Sequence, residues 1–291
     1  MNDRDQSDHQ LFPILQPRTP MKYAIMSTIR SLGLLSAADR MRFFQKQAMG
    51  ANRNRRFLET HPDFVPPPAD LAFDAYNMID WASYHEGGLR HARVFADAIM
   101  SRTDGHRLRV LEWGCGPGRL IRHMPMLLAA RAAEVAGTDY NPATIAWCKA
   151  NVPGVGFSLN GLMPPLPFPD DHFEVAYNFS VLTHLSEPAQ LAWTAELKRV
   201  LKPGGVLLST THGENYRYLL TTPQERAAFA AGECVTQGRF AEGKKFYFAI
   251  HPPLFVRHRL LADFVEVDKL AVPPDAHIQQ DLWFARKKIQ V

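Results

Sequence analysis

The chain has 291 residues, 46% hydrophobic and 21% charged, a balance that suits a soluble globular protein with one large domain plus an extension, or with two small domains. No apolar run is long enough to span a bilayer, since Met124–Ala130 is halted by Arg131, and the polar, acidic start Met1–Asp8 does not read as a signal peptide, so cytoplasm is the default location. The three cysteines, Cys115, Cys148 and Cys234, are odd in number and scattered, and form neither a disulfide framework nor a zinc pattern.

Met1–Pro20 reads as a loose or disordered start. Ile25, Ile29 and Leu32 stand at helical spacing and predict a helix over Met21–Leu35, followed by a second across Ala37–Met49. The net charge is only +4, but the basic excess is concentrated in Arg40, Arg42, Lys46, Arg53, Arg55 and Arg56, with no acidic residue between them. Such a stretch suits phosphates or anionic lipid or is a solvated helix face, and the sequence leaves both readings open. Pro66-Pro67-Pro68 marks a stiff link. Leu71–Trp81 and Leu89–Met100 read as further helices; Ala92, Phe95, Ala96 and Ile99 give the latter a face suited to packing on a sheet. Residues 1–85 are expected to form an N-terminal helical extension, and 86–291 the main domain.

The main domain alternates strand and helix, with strands near Leu108–Glu112, Ala133–Asp139, Val155–Ser158, Phe173–Asn178 and Val206–Thr211. This is the pattern of a parallel sheet covered by helices on both faces. Its ligands bind outside the carboxyl ends of the strands. After the first strand, Glu112-Trp113-Gly114-Cys115-Gly116-Pro117-Gly118-Arg119 makes a G-x-G-x-G turn. That spacing is not the G-x-G-x-x-G of dinucleotide-binding loops, and Glu112 can meet a cationic amino group. Asp139 ends the second strand about 20 residues past the loop, where a carboxylate can accept from ribose hydroxyls. Tyr140-Asn141-Pro142 opens a helix, with Asn141 as N-cap and Pro142 at its first position. Leu201-Lys202-Pro203-Gly204-Gly205 reads as the turn between a helix and the fifth strand.

Taken in order from about Gly87 to Val291, these motifs resemble the class I S-adenosylmethionine-dependent methyltransferases. The glycine loop matches the family's first motif, Pro167–Asn178 its approach to strand four, and Leu201–Gly205 its turn into strand five. The resemblance implies a Rossmann-like, seven-stranded, mostly parallel sheet with an antiparallel last strand. Strands over Phe264–Val272 and Asp281–Arg286, after a helix over Pro253–Leu261, would complete it. Residues 212–250, with an aromatic strand Lys245–Ile250, read as a cap inserted over the acceptor pocket. S-adenosylmethionine is implied as methyl donor and S-adenosylhomocysteine as product. The implied contacts are Glu112, Gly114, Cys115, Gly116, Gly118 and Arg119 from the loop, then Asp139, Tyr140 and Asn141. Further along they are Asn160, Gly161 and Leu162 after strand three, and Asn178, Phe179 and Ser180 after strand four. Asn160 departs from the family's usual acidic residue: its amide can serve the adenine, or Asn160-Gly161 is simply a turn. Glu174, where the family has Asp, reads as structural. Tyr84 either closes over the ligand or is a packed aromatic.

An acceptor hydroxyl must lose its proton, and His184, His212 and Glu214, with His251 behind them, are the candidate bases. Packing roles for His184 and His212 stay open. The family's metal ligands after strand four and its Asn-Pro-Pro-Tyr amine motif are both missing, for the strand ends in Asn178-Phe179-Ser180. The sequence therefore points to metal-independent O-methylation of a small molecule or glycan. The alternatives are N- or nucleic-acid methylation and a non-catalytic binding scaffold. Nucleic acid is the less favoured partner, and a homodimer is compatible with the sequence.

Overall fold

The computed structural model describes residues 35–104, 107–237 and 241–289. The loose start Met1–Pro20 and the helix expected over Met21–Leu35 lie outside the described residues, apart from Leu35 itself. The chain divides into two compact units, Met1–His85 and Glu86–Val291.

In the first unit a long helix, α1 (Leu35–Thr60), is followed by α2 (Ala69–Tyr76) and the first turn of α3 (Trp81–Arg102). The helix expected over Ala37–Met49 thus runs to Thr60, because Phe57 still finds an apolar partner in Phe64, 5.6 Å away edge-on. The helix expected over Leu71–Trp81 ends at Tyr76, and the one expected over Leu89–Met100 begins earlier, at Trp81. Asn77 takes the left-handed conformation at φ 52° and caps α2, its N–H donating to the Phe73 carbonyl. Asp80 then accepts from the Ser83 amide at 2.8 Å and starts α3. Asn54 joins the parts, donating to the Ile79 carbonyl and accepting from the Trp81 amide. Phe57, Phe64, Phe73, Trp81 and Tyr84 are the aromatic centre of this unit.

The second unit is built on a seven-stranded sheet. Its strands are β1 (Leu108–Trp113), β2 (Ala132–Asp139), β3 (Gly156–Leu159), β4 (Phe173–Asn178), β5 (Leu201–Thr211), β8 (Val265–Leu270) and β9 (Asp281–Arg286), in the order β3-β2-β1-β4-β5-β9-β8. β1 to β5 pair in parallel, and β9 runs antiparallel to both β5 and β8. Both faces of these strands are covered, so their apolar runs are continuous. Successive residues point to opposite faces: Val110, Val175, Leu208 and Phe284 pack with Phe95 and Ile99 of α3. Leu111, Ala176, Leu207 and Trp283 pack on the other face with Trp193 and Leu197 of the helix Glu187–Val200. Full burial of a side chain such as Phe95 contributes roughly 2–3 kcal/mol.

Two local features differ from the sequence expectation. Strand pairing resumes at Leu201, opposite Phe173, so the Lys-Pro-Gly-Gly turn is an irregularity inside β5 and not a loop before it. Gly204, at φ 79°, permits it, and its N–H donates to the Lys287 carbonyl at 3.0 Å. The helix over Pro253–Leu261 is a short α-turn, Pro253–Phe255, continued as a π-turn over Val256–Leu260. Glu174 ties the entry of β4 to its neighbours. It accepts from the Arg109 amide at 2.7 Å and pairs with Lys202.

Between β5 and the Pro253 turn the chain leaves the sheet. A 3-10 turn (Glu214–Leu219) leads to the helix Pro223–Ala230, closed by a Thr222–Glu225 capping box. Two short strands, β6 (Val235–Gln237) and β7 (Phe248–Ile250), pair antiparallel in a separate sheet. The strand expected from Lys245 begins only at Phe248, because residues 241–247 are drawn into contacts described next.

Candidate active site

The parallel register brings the ends of the central strands level. Trp113 stands opposite Thr138, Asp139 opposite Leu159, and Asn178 opposite Ser209. The chain leaves each strand there, so the residues that follow converge on one edge.

The glycine loop turns sharply after β1. Gly114, Gly116 and Gly118 sit at φ 72°, 51° and 77°, where a Cβ is strained. The amides of Gly114 and Cys115 both donate to the Thr138 carbonyl, at 2.8 and 2.9 Å. The Asp139 carboxylate takes the Gly116 amide on one oxygen (3.0 Å) and the Asn141 amide on the other (2.8 Å). Cys115 is a small buried packing residue. Arg119 is buried too, and Gly88 of α3 lies so close to its backbone that a Cβ there would stand 2.4 Å from the Arg119 carbonyl oxygen. Glu112 is buried beneath the loop and accepts from the Tyr177 hydroxyl at 2.6 Å. Burial pushes its carboxyl up to about 8, against the pull of that hydroxyl and of the Arg119 charge.

Asn141 caps the helix Pro142–Asn151 with its side chain, accepting from Ala143 and Thr144. The Asn160 amide N–H donates to the Asp139 carbonyl, and its side-chain nitrogen donates to the Gly161 carbonyl at 2.6 Å. Its Oδ1 is buried with no hydrogen-bond partner. Asn178 repeats the pattern: Nδ2 donates to Ser209, while Oδ1 is buried and unpaired. Phe179 lies against His91, the ring centroids 5.0 Å apart and the planes tilted by 35°. Ser180, at φ 63°, donates its amide to Thr210 and accepts from Gln280 at 2.7 Å. Tyr84 lies in the aromatic centre of the first unit, edge-on to Tyr76 and Trp81.

Residues 242–247 cross the ends of β2, β3 and β4 as a strap. The Tyr140 hydroxyl donates to the Gly243 carbonyl at 2.9 Å, and the Gly243 amide donates to the His184 carbonyl. Leu162 lies against Gly243, where a Cβ would meet it at 2.8 Å. Glu242 accepts from the Ser186 amide.

This strap and β7 also orient the histidines. His184 Nδ1 bonds the Tyr247 carbonyl at 2.8 Å, and His212 Nδ1 bonds the Ala249 carbonyl at 3.2 Å. A carbonyl only accepts, so each Nδ1 carries the proton and each Nε2 keeps its lone pair. Burial lowers both pKa values, that of His212 well below the ordinary range, with the neighbouring imidazoles of His184 and His251 adding to the effect. Tyr216 stacks on His212 at 3.9 Å. His251 is fully buried and its Nε2 is 3.1 Å from Gln190; burial pushes it down to about 3. Glu214 lies half-exposed, 3.2 Å from Arg217. It lines a pocket of about 220 Å³ with Phe229 and Leu254.

Residues 111–209 match the family described as "Methyltransferase domain". A Mycolicibacterium smegmatis protein described as "Probable S-adenosylmethionine-dependent methyltransferase" is 42% identical over 150 residues, 52% of this chain and 54% of that protein. The segment is a class I S-adenosylmethionine-dependent methyltransferase domain. A "Ubiquinone biosynthesis O-methyltransferase" of Cereibacter sphaeroides is 32% identical over 111 residues, 37% of this chain and 42% of that one. The chain thus spans about half the length of the curated relatives it matches. The crystal structure of the PH0226 protein from Pyrococcus horikoshii shares the fold of the methyltransferase domain at a TM-score of 0.51 and 17% identity, covering 74% of this chain and 98% of that one. No described helix is long and apolar enough to cross a membrane.

Several groups at this edge carry no sequence motif. They are the Thr138 carbonyl under the loop, Gln280 ahead of β9, and the strap at Gly243 and Tyr247. Of these only the glycine was a local signal, and its meaning depends on Tyr140 and Leu162, far away in sequence.

Proposed function

We propose that this chain transfers the methyl group of S-adenosylmethionine to a hydroxyl of a small molecule or glycan, releasing S-adenosylhomocysteine, without a metal ion. The observation that carries the reading is the pair of buried acceptors left unmatched, Oδ1 of Asn160 and of Asn178, beside a carboxylate and a glycine loop that presents backbone. Unmatched buried acceptors are costly unless a ligand donates to them. They fit the donor groups of an adenosine ligand: Asn160 would take the adenine amino group. A carboxylate offers about four acceptor sites, and that of Asp139 would take the ribose hydroxyls. Glu112 would face the methionine ammonium, and an arriving cation favours its ionised form. The remaining loop, Tyr140 and Leu162 would line the ligand.

The bound donor supplies an electrophilic methyl group for in-line displacement. The chain supplies position and a base. His212, neutral at physiological pH with Nε2 free of its proton, is suited to accept the proton of an acceptor hydroxyl, and His184 stands as the second choice. Glu214 is less suited because its carboxylate is engaged by Arg217. The O-methyltransferase name of the Cereibacter relative supports a hydroxyl as acceptor. The strap from Glu242 to Tyr247 would form one wall of the acceptor pocket.

Incubation with methyl-labelled S-adenosylmethionine and a panel of phenolic, sugar, amine and nucleic-acid acceptors tests this. Label transferred to a hydroxyl, with S-adenosylhomocysteine formed in step, is the expected result. Turnover with amines or nucleic acid alone would overturn it.

A further inference from the structure

The outer face of α1 carries a feature that methyl transfer does not use. Phe43, Lys46, Gly50, Asn54 and Phe57 form its inner stripe: Phe43 meets Phe73 at 5.4 Å, Lys46 donates to the Asn77 carbonyl, and Gly50 and Phe57 are buried. On the opposite side, Ala37, Met41, Phe44 and Ala48 recur at the spacing of one helix face and all are exposed. Met41 is 72% exposed, Phe44 54%, and Met49, just beside them, 75%. Large apolar side chains in such a row need an explanation that scattered ones do not. Arginines flank the row. Arg53 is taken by Asp80, but among the described residues no acidic side chain pairs with Arg40, Arg42, Arg55 or Arg56, and the Arg40 guanidinium lies 6.0 Å over the Phe44 ring.

We propose that this face docks on an anionic lipid surface, with Met41, Phe44 and Met49 entering the interface and the arginines lying against lipid headgroups. Apolar side chains beside cationic ones on one helix face are the composition of an interfacial helix. The arginine stems extend along the apolar layer while their heads stay with phosphates. Charge separates this occupant from the others. A second copy would bring arginines against arginines, with no acidic residue anywhere between Arg40 and Arg56 to relieve them. A nucleic acid would satisfy the arginines and leave the methionines and Phe44 in water.

The test uses the full chain and flotation with vesicles of phosphatidylcholine alone or mixed with phosphatidylglycerol. Binding to the anionic vesicles only is expected. Arg40→Gln, Arg55→Gln and Arg56→Gln together should weaken it on the order of a hundredfold, at about fivefold for each arginine. Met41→Ser with Phe44→Ser should remove the part of the binding that survives added salt. Phe44→Trp should shift its emission to the blue on anionic vesicles. All these positions are exposed, and an unchanged melting temperature shows that the variants fold. Failure of the full chain to bind overturns the proposal, whether the face is covered by residues 1–34 or by nothing. It is equally overturned by salt-sensitive nucleic-acid binding in place of vesicle binding, or by a dimer that Met41→Ser with Phe44→Ser dissociates.

Discussion

Gly114→Ala and Gly118→Ala separate two reasons for glycine in the loop. Both positions have φ in the left-handed region, 72° and 77°, and an alanine in that region costs roughly 1–2 kcal/mol. The surroundings differ. A Cβ on Gly118 would stand 3.3 Å from Val152 Cγ2 and 3.6 Å from Cys148 Sγ, contacts that small adjustments relieve. A Cβ on Gly114 would stand 2.4 Å from Val181 Cγ2, more than 1 Å inside the roughly 3.5–4.0 Å that two carbons prefer. Val181 is β-branched and stiff at χ1, so the loop or the turn after β4 must move, and overpacking of this kind costs about 1–3 kcal/mol. Gly118→Ala should therefore cost about 1.5 kcal/mol and Gly114→Ala about 3 kcal/mol. At about 2–4 °C for each kcal/mol in a domain of this size, the melting temperatures should fall by about 4 °C and about 9 °C. Urea unfolding of both variants measures this directly. Adding Val181→Ala should recover about 1–2 kcal/mol in the Gly114→Ala background and nothing in the Gly118→Ala background. Equal costs for the two glycines, or no recovery by Val181→Ala, would refute the reasoning.

Asn160→Leu should weaken S-adenosylhomocysteine binding about tenfold to a hundredfold in calorimetry, and Asn160→Asp should keep most of it by restoring an acceptor. A residue that serves only as a turn would lower the melting temperature and leave the affinity alone. His212→Gln should lower kcat on the order of 10²–10⁴-fold with S-adenosylhomocysteine affinity unchanged. Because burial holds the His212 pKa well below its ordinary 6.5, wild-type kcat should be flat through neutrality and fall only on stronger acidification; an unchanged kcat in the variant removes His212 as base. For Glu112 the ligand-free carboxyl is raised from 4.5 to about 8, so the fold favours its protonated form. That stabilisation is complete below about pH 4.5 and lost as pH rises through about 8. Relative to Glu112→Gln, which stays neutral, wild type should lose about 1.4 kcal/mol per pH unit across that window, on the order of 5 kcal/mol in all. Urea titrations at about pH 5 and about pH 9 read it, and a constant difference between the two proteins would count against a raised carboxyl.

The strands of the sheet were legible because their signals are local. Phe173–Asn178 falls where its apolar run places it, and a parallel strand buried on both faces writes itself as such a run; Asp281–Arg286 falls where the family resemblance placed it. The same holds for the cap at Asn141, whose partners are two and three residues on. The break between α2 and α3 was also local, an asparagine and an aspartate that end one helix and begin the next. The Lys-Pro-Gly-Gly turn was legible as a turn; its place inside β5 was not, because that depends on pairing with Phe173 and Lys287. Tertiary structure alone decided which atoms meet at the strand ends. The proton positions on His184 and His212 are set by carbonyls 63 and 37 residues away, and the strap reaches Tyr140 across 103 residues. Periodicity and turn chemistry act over a few residues and so are written in order along the chain, whereas a hydrogen bond between distant segments exists only once the sheet has brought their ends to one edge.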